Sequence, residues 1–389
     1  MFLFLFLQKI YFFMESELRV IISGGGTGGH IFPAVSIANA IKEQHPNTKI
    51  LFVGAEGRME MQRVPAAGYE IKGLPVRGLI RPLWSPKNIG VMMDFFKSKN
   101  MVKQIIKDFK PQVAVGVGGY ASAPTLNAAY SMGIPCLIQE QNSYAGVTNK
   151  SLAKKASKVC VAYNNMERFF PAEKIMLTGN PVRQGLLNNQ KPKEEAIKTF
   201  GLSAEKKTVL IVGGSLGART VNESILNHLP EIEAVKDSIQ FIWQTGKFYN
   251  AQILKELDTK GKPENLFVTD FISKMEDAYS AADLVISRAG AGSISEFCLL
   301  EKPVILVPSP NVAEDHQTKN AMALVNNDAA LFVKDAEAKD TLLPLAIKTV
   351  NDSDKLTSLS KNIAKLALRD SANVIANEVF KLATTYSNK

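Results

Sequence analysis

Short runs that are apolar from end to end recur along the chain, separated by helix-length stretches of mixed character. In the first half they read "RVIIS", "KILFVG", "VAVGVGG", "PCLIQE" and "KVCVAY"; in the second, "TVLIVGG", "IQFIWQ", "LFVTDF", "DLVISR" and "PVILVP". Apolar runs without alternation predict strands buried on both faces, hence parallel sheets covered by helices. The polar stretch "LTGNPVRQGLLNNQKPKEE" separates the two sets, so two doubly wound α/β domains are expected with their seam there. A length of 389 residues suits two cores better than one. Each set opens with a strand and a glycine loop, "VIISGGGTGGH" and "VLIVGGSLGAR". Ligands of open α/β sheets bind beyond the carboxyl ends of the strands, which directs attention to these loops and to a cleft between facing domains.

Composition narrows the class. Hydrophobic residues make up 46 % and charged ones 21 %, the balance of a globular protein without low-complexity tracts. The net charge of +9 belongs to the first half, where residues 1–180 carry 21 Lys and Arg against 11 Asp and Glu. That half needs an acidic partner: nucleic acid, an anionic membrane surface or a phosphorylated ligand. Cys136, Cys160 and Cys298 sit in apolar stretches without metal spacing, which predicts structural thiols in a reducing compartment. The opening "MFLFLFLQKIYFF" is too short to span a bilayer and lacks the basic start and cleavage site of a signal peptide. Met14 is the expected true start.

The glycine loops carry the chemistry. Gly24, Gly26 and Gly29 satisfy GxGxxG, but the acid a nicotinamide ribose needs is offered only by Glu56, two residues late. A nicotinamide oxidoreductase is therefore a rival reading, and the Walker pattern is absent. Further loops at 116–124 and 213–219 each follow a strand, and backbone N–H groups in such turns bind phosphate oxygens. In "SRAGAGSISEF" the N–H groups around Ala291, Gly292 and Ser293 suit phosphates, and Glu296 can accept two ribose hydroxyls. "EDHQTKNA" adds amide and acid side chains of the kind that read sugar hydroxyls. Together these motifs describe a nucleotide-sugar pocket.

In order along the chain, "GGTGGHIFP", "GVGGYASAP", "QEQNSYAGVTNK", "TGNPVR", "GGSLGAR", "SRAGAGSISE" and "DHQTKNA" resemble the MurG family of peptidoglycan glycosyltransferases, from about residue 18 onward. The resemblance implies a GT-B fold, two Rossmann-like doubly wound parallel-sheet domains facing a deep cleft. Residues 15–182 would form an acceptor- and membrane-facing domain and 183–369 a UDP-sugar-binding one, with a helix over about 370–389 packing back on the first. The implied reaction moves N-acetylglucosamine from UDP-N-acetylglucosamine to the C4 hydroxyl of lipid I, with inversion, to give lipid II. On the donor side it implies that Phe271 and Ile272 flank the uracil, with main-chain groups reading its edge. Arg183, Ser215, Arg288 and the turn Ala291–Ser293 would lie near the diphosphate, Glu296 on the ribose and Gln317 on the sugar. Thr27, His30, Tyr120, Glu140, Asn142, Asn149 and Asn222 are implied for the acceptor side, with Thr27 and Asn142, together with Gly28 and Gly29, also counted towards the donor. Two departures from the family pattern are Gln139, often histidine there, and Thr318, glutamine in some members.

No cofactor is required by these motifs, and the Asp-x-Asp metal motif of the other common nucleotide-sugar fold is expected to be absent from the sequence, although a divalent ion could screen the diphosphates. The implied partners are UDP-N-acetylglucosamine, lipid I and an anionic membrane surface, not nucleic acid, at the cytoplasmic face of the inner membrane as a peripheral protein. A nonhydrolysing UDP-sugar epimerase, which shares the architecture, is the main alternative; a non-catalytic membrane-docking module is a further one. Inversion needs one base, and His30, with an unperturbed pKa near 6.5, is the first candidate. Glu140 is the second, and His30 could instead only bind the acceptor diphosphate or fix its loop. The stretch "VRGLIRPLWSPKNIGVMMDFFKSK" at 76–99 sets Leu79, Ile80, Leu83, Trp84, Phe95 and Phe96 among basic residues, a pattern suited to lying on an anionic bilayer. Its phenylalanines could equally belong to the core.

Overall fold

The computed structural model describes residues 17–78, 84–86 and 88–387. The expectations for the apolar leader, and for Leu79, Ile80 and Leu83, lie outside these residues. The chain divides into two compact units, one running to Val182 and resuming at Asp370, the other spanning Arg183–Arg369.

The first unit is built on seven strands: β1 (Arg19–Ser23), β2 (Lys49–Ala55), β3 (Glu70–Leu74), β4 (Val113–Gly116), β5 (Cys136–Glu140), β6 (Lys158–Val161) and β7 (Ile175–Leu177), in the order β3-β2-β1-β4-β5-β6-β7. All pairings are parallel, with Arg19 opposite Lys49 and Val20 opposite Val113 on the two sides of β1. The central strands are largely apolar because helices cover both faces. β3 escapes the apolar-run rule because "EIKGL" lies at the sheet edge, where alternate side chains meet solvent. The helix Gly28–Gln44 buries Ile31, Ala34, Ile37, Ala38 and Ile41 on one stripe. Against it packs the last helix, Ser371–Ser387, through Ala372, Ile375, Ala376, Val379 and Ala383. The alanines on both sides permit close approach, and each buried Ile or Val contributes about 1.5–3 kcal/mol.

The second unit has six parallel strands, β8 (Lys207–Val212), β9 (Ile239–Gln244), β10 (Leu266–Thr269), β11 (Leu284–Ser287), β12 (Val304–Leu306) and β13 (Leu331–Phe332), in the order β10-β9-β8-β11-β12-β13. β13 is only two residues long and too short to leave a pattern. The order reverses at β8, so the loops after β8 and β11 diverge there, the usual place for a ligand. The three thiols are buried, and burial pushes each up to about 12, which suits structural rather than thiolate roles. Among the described residues no helix is long and apolar enough to cross a membrane.

Candidate functional site

In the first unit the residues of interest gather at the carboxyl ends of β1, β4 and β5. β1 ends at Ser23, whose hydroxyl donates to the Val53 carbonyl at 2.9 Å. The chain then turns through glycines that packing demands: a Cβ on Gly24 would lie 2.7 Å from Val117 Cγ2, and one on Gly25 would lie 2.1 Å from the Glu60 carboxylate. The Gly26 N–H donates to Glu60 Oε2 at 2.8 Å and the Ala55 N–H to Oε1 at 3.0 Å. A buried carboxylate thus takes up the inner side of the first glycine loop.

His30 lies in the first turn of the helix Gly28–Gln44, behind exposed Thr27 and Gly29 and half-buried Gly28. Its Nδ1 is 2.9 Å from the Gly25 carbonyl oxygen and 3.4 Å from Thr27 Oγ1. A carbonyl only accepts, so Nδ1 carries the hydrogen and the neutral ring has its lone pair on Nε2, a tautomer inferred from the partner. Gly118, at φ +92°, runs under the ring, where a Cβ would meet Nε2 and Cδ2 at 2.9 Å. Gly119, at φ +87°, would place a Cβ 2.4 Å from the Gly25 oxygen. The two glycine loops therefore touch backbone to backbone. Beyond them Tyr120 is 46 % exposed, its ring set against the backbone of Gly78.

Glu140 does other work than expected. Its Oε1 accepts from the backbone N–H of Asn142 at 3.0 Å and from Asn142 Nδ2 at 3.3 Å; its Oε2 accepts from Gly146 N at 3.0 Å and Asn149 Nδ2 at 2.9 Å. Four donors use the four lone-pair sites of a carboxylate. At 1 % exposure Glu140 organises the loop 141–149 and is not poised as a base, and Asn149, 2 % exposed, is its partner and not a surface contact. Gln139 is likewise buried, donating to Asn180 Oδ1 at 3.0 Å and accepting from Gln141 Nε2 at 2.5 Å. The departure at Gln139 thus concerns loop scaffolding.

In the second unit a cavity of about 480 Å³ opens beyond β8 and β11, with Gly214, Arg219, Arg288, Ser293 and Gln317 in its wall. The helix Ala291–Leu299 presents its N-terminus there, after Gly290 in extended conformation. Ser215 is exposed on the loop beside it. Gln317 Oε1 accepts from Ser309 N at 2.8 Å, fixing its amide at the cavity edge. Arg288 is held inside the wall: Nη1 donates to the Val307 and Pro308 carbonyls at 3.0 and 3.2 Å and pairs with Asp335, while Nη2 reaches Thr220 Oγ1 at 3.3 Å. Asp335 neutralises its charge. The cation open to the cavity is Arg219, whose side chain is 76 % exposed and pairs with Glu223 at 2.8 Å. Sequence reading missed it as a site residue although it closes the motif "GGSLGAR".

Glu296 lies one turn into the same helix with only 12 % of its side chain exposed. Burial raises its carboxyl above the ordinary range, opposed by Arg183 at 3.5 Å and by the Tyr279 hydroxyl, which donates at 2.9 Å. Burial and this neighbouring carboxylate push the Tyr279 phenol well up. Arg183 thus meets Glu296 directly, and Tyr279 is a partner that sequence alone did not single out. Phe271, 44 % exposed, and buried Ile272 line a separate 220 Å³ cavity with Phe200 and Phe267. The Ile272 N–H donates to Gln244 Oε1 at 2.9 Å, so a base edge read there would exchange with this bond. Asn222 is corrected outright: it is 3 % exposed, donates to the Thr245 carbonyl at 2.9 Å and accepts from Trp243 Nε1 at 3.1 Å, a core bracket closed to an acceptor. An Asp-x-Asp triplet does occur, at Asp352–Ser353–Asp354, but Asp352 caps the helix Ser353–Ala364 by accepting from Lys355 N at 2.9 Å.

Comparison with known proteins places this geometry. The glycosyltransferase family 28 N-terminal domain matches residues 20–161 and the family 28 C-terminal domain residues 208–375. The chain is 68 % identical to the UDP-N-acetylglucosamine–N-acetylmuramyl-(pentapeptide) pyrophosphoryl-undecaprenol N-acetylglucosamine transferase of Phocaeicola vulgatus, over 96 % of this chain and 98 % of that one. It is 53 % identical to the protein of the same name from Cytophaga hutchinsonii, over 95 % and 98 %. The crystal structure of Acinetobacter baumannii MurG superposes with a TM-score of 0.75 at 27 % identity, over 94 % of this chain and 99 % of that one. A UDP-GlcNAc 2-epimerase from Neisseria meningitidis reaches 0.63 at 14 % identity over 94 % and 100 %, which speaks for the fold alone. Matched in both halves and along nearly its whole length, the chain belongs to glycosyltransferase family 28, as a relative of the MurG enzymes its motifs resemble.

Proposed function

We propose that the protein transfers N-acetylglucosamine from UDP-N-acetylglucosamine to the C4 hydroxyl of the N-acetylmuramyl residue of lipid I, with inversion at the anomeric carbon, forming lipid II. The 68 % identity to the Phocaeicola vulgatus transferase over 96 % of the chain carries this reading. In the mechanism, His30 Nε2 takes the proton of the C4 hydroxyl as that oxygen attacks the anomeric carbon and the bond to the diphosphate breaks. The Nδ1–H bond to Gly25 supports this, since it leaves the lone pair on Nε2. The departing UDP carries the negative charge, which the N-terminus of the helix Ala291–Leu299 and Arg219 are suited to meet. Glu296 holds the ribose.

The lipid-linked acceptor implies work at a membrane, and one face of the first unit suits it. Trp84 is 85 % exposed, and Ile89, Met92, Met93 and Phe96 form an uncovered apolar stripe on the helix Asn88–Phe109, with Lys97 and Lys99 alongside. Such a face fits a peripheral enzyme resting on an anionic bilayer. The deciding experiment supplies UDP-N-acetylglucosamine with a short-chain lipid I analogue. UDP release and a disaccharide product that both depend on acceptor are expected; turnover of UDP-N-acetylglucosamine alone would favour an epimerase and sink the proposal. The membrane face is tested separately by sedimentation with anionic vesicles, where Ile89→Ser with Met93→Ser should reduce binding, and unchanged binding would place the docking face elsewhere.

A further inference from the structure

Glu60 is a buried carboxylate that the reaction as outlined does not use. It opens the helix Glu60–Ala66 and is wholly inaccessible. Room for it is made by two glycines: a Cβ on Gly54 would lie 2.6 Å from its Cγ, and one on Gly25 would collide with the carboxylate itself. No ion pair to it is found among the described residues. Both oxygens accept from backbone N–H groups, Ala55 at 3.0 Å and Gly26 at 2.8 Å. A buried carboxylate loses its hydration, and the two backbone donors offset that cost.

The Gly26 N–H and the Gly25 C=O belong to one peptide group. Its N–H donates to Glu60, and its carbonyl accepts the hydrogen on His30 Nδ1 at 2.9 Å. We propose that Glu60 is a positioning residue for His30, acting through the Gly25–Gly26 peptide. The carboxylate anchors the peptide plane and draws on its N–H, which makes the Gly25 oxygen a stronger acceptor, since hydrogen bonds in series polarise one another. The imidazole is thereby held with its hydrogen on Nδ1 and its lone pair on Nε2. A carboxylate orients the ring as it would by direct contact, but from one peptide away and out of reach of substrate. This rests on the reading that His30 Nε2 takes the acceptor proton.

The test reads the ring itself. Nitrogen-15 NMR of the imidazoles in the unliganded full chain distinguishes the two tautomers, and His30→Ala identifies the His30 signals among the four histidines. In the parent, His30 should show the Nδ1–H form; an Nε2–H ring there overturns the proposal before any variant is made. In Glu60→Gln, an amide N–H₂ faces one of the two backbone donors, the peptide loosens, and the ring should shift towards the Nε2–H form. Turnover should then fall about 10-fold, the lower end for losing the partner that orients a functional histidine, with the KM for UDP-N-acetylglucosamine little changed. An unaltered tautomer in a folded Glu60→Gln protein, whatever its melting temperature, overturns the proposal. A changed tautomer with parental turnover supports it and removes His30 as the base.

Discussion

The two units open alike, with a parallel strand, a run of glycines and a helix, yet their loops are put to different use. In "GGGTGGH" two glycines are spent on the protein itself, Gly24 against Val117 and Gly25 against Glu60, with the Gly25 carbonyl against both Gly119 and His30, while Gly26 at φ +85° meets nothing within 4 Å. In "GGSLGAR" Gly213 and Gly217 also pack, against Ala218 and the Thr245 carbonyl, but Gly214 at φ +92° would meet nothing within 4 Å and borders the 480 Å³ cavity. The first loop braces the His30 ring, and the second borders an open cavity. Glycine in a strand-to-helix turn serves either end, and what decides is whether another part of the chain has already claimed the backbone groups.

That contrast makes separable predictions. On the proposal that His30 is the base, His30→Ala should lower turnover by roughly 100-fold or more, the scale of general base catalysis, while calorimetric UDP binding stays at the parent value; near-parental turnover would overturn that role. On the proposal that Glu296 holds the ribose, Glu296→Gln should act on affinity. Loss of hydrogen bonds to a charged acceptor is worth roughly 1.5–3 kcal/mol, about 10- to 100-fold in UDP affinity. Stability should move the other way. Burial holds the Glu296 carboxyl above its ordinary value, so the folded protein binds that proton more tightly than the unfolded chain, and stability is lost as pH rises from the ordinary value through the raised one. The glutamine variant should therefore melt no lower than the parent at neutral pH. Parental UDP affinity would sink the ribose assignment.

Most of the fold was legible, because central strands of a parallel sheet are apolar on both faces and announce themselves. β3, β7 and β13 are not among the apolar runs, the first two being half-wet edges and the third only two residues long. Of the candidate site, placement was legible where a local motif sets it: His30 in the first turn after a glycine loop, Glu296 one turn into a helix and Gln317 beside the cavity. It was misread where a polar residue in a motif serves the loop and not the ligand. Glu140, Asn149 and Asn222 look like contacts in sequence, and only the donors and acceptors converging on each show them to be internal braces. Glu60, Tyr279 and Asp335 left no signal, since each meets its partner across the fold: Glu60 lies 34 residues from Gly26, and Asp335 lies 47 from Arg288.

The comparison of loops can itself be broken with two matched glycine substitutions. Gly119 and Gly214 hold nearly the same left-handed backbone, at φ +87° and +92°. An alanine at either should therefore carry the same conformational cost, about 1–2 kcal/mol. Their surroundings differ. At Gly119 the new methyl would sit 2.4 Å from the Gly25 oxygen and 3.0 Å from its nitrogen, both backbone atoms that cannot swing aside. Overpacking of that kind adds about 1–3 kcal/mol, so Gly119→Ala should lose about 2–5 kcal/mol in chemical denaturation. It should also lower turnover, since the displaced carbonyl is the one that holds His30. At Gly214 the methyl enters open space, so the stability loss should stop at the conformational cost, and the effect on catalysis should show in the KM for UDP-N-acetylglucosamine. Equal losses of stability at the two positions, or a turnover defect at Gly214 without a KM change, would mean that the loops differ less in use than in sequence.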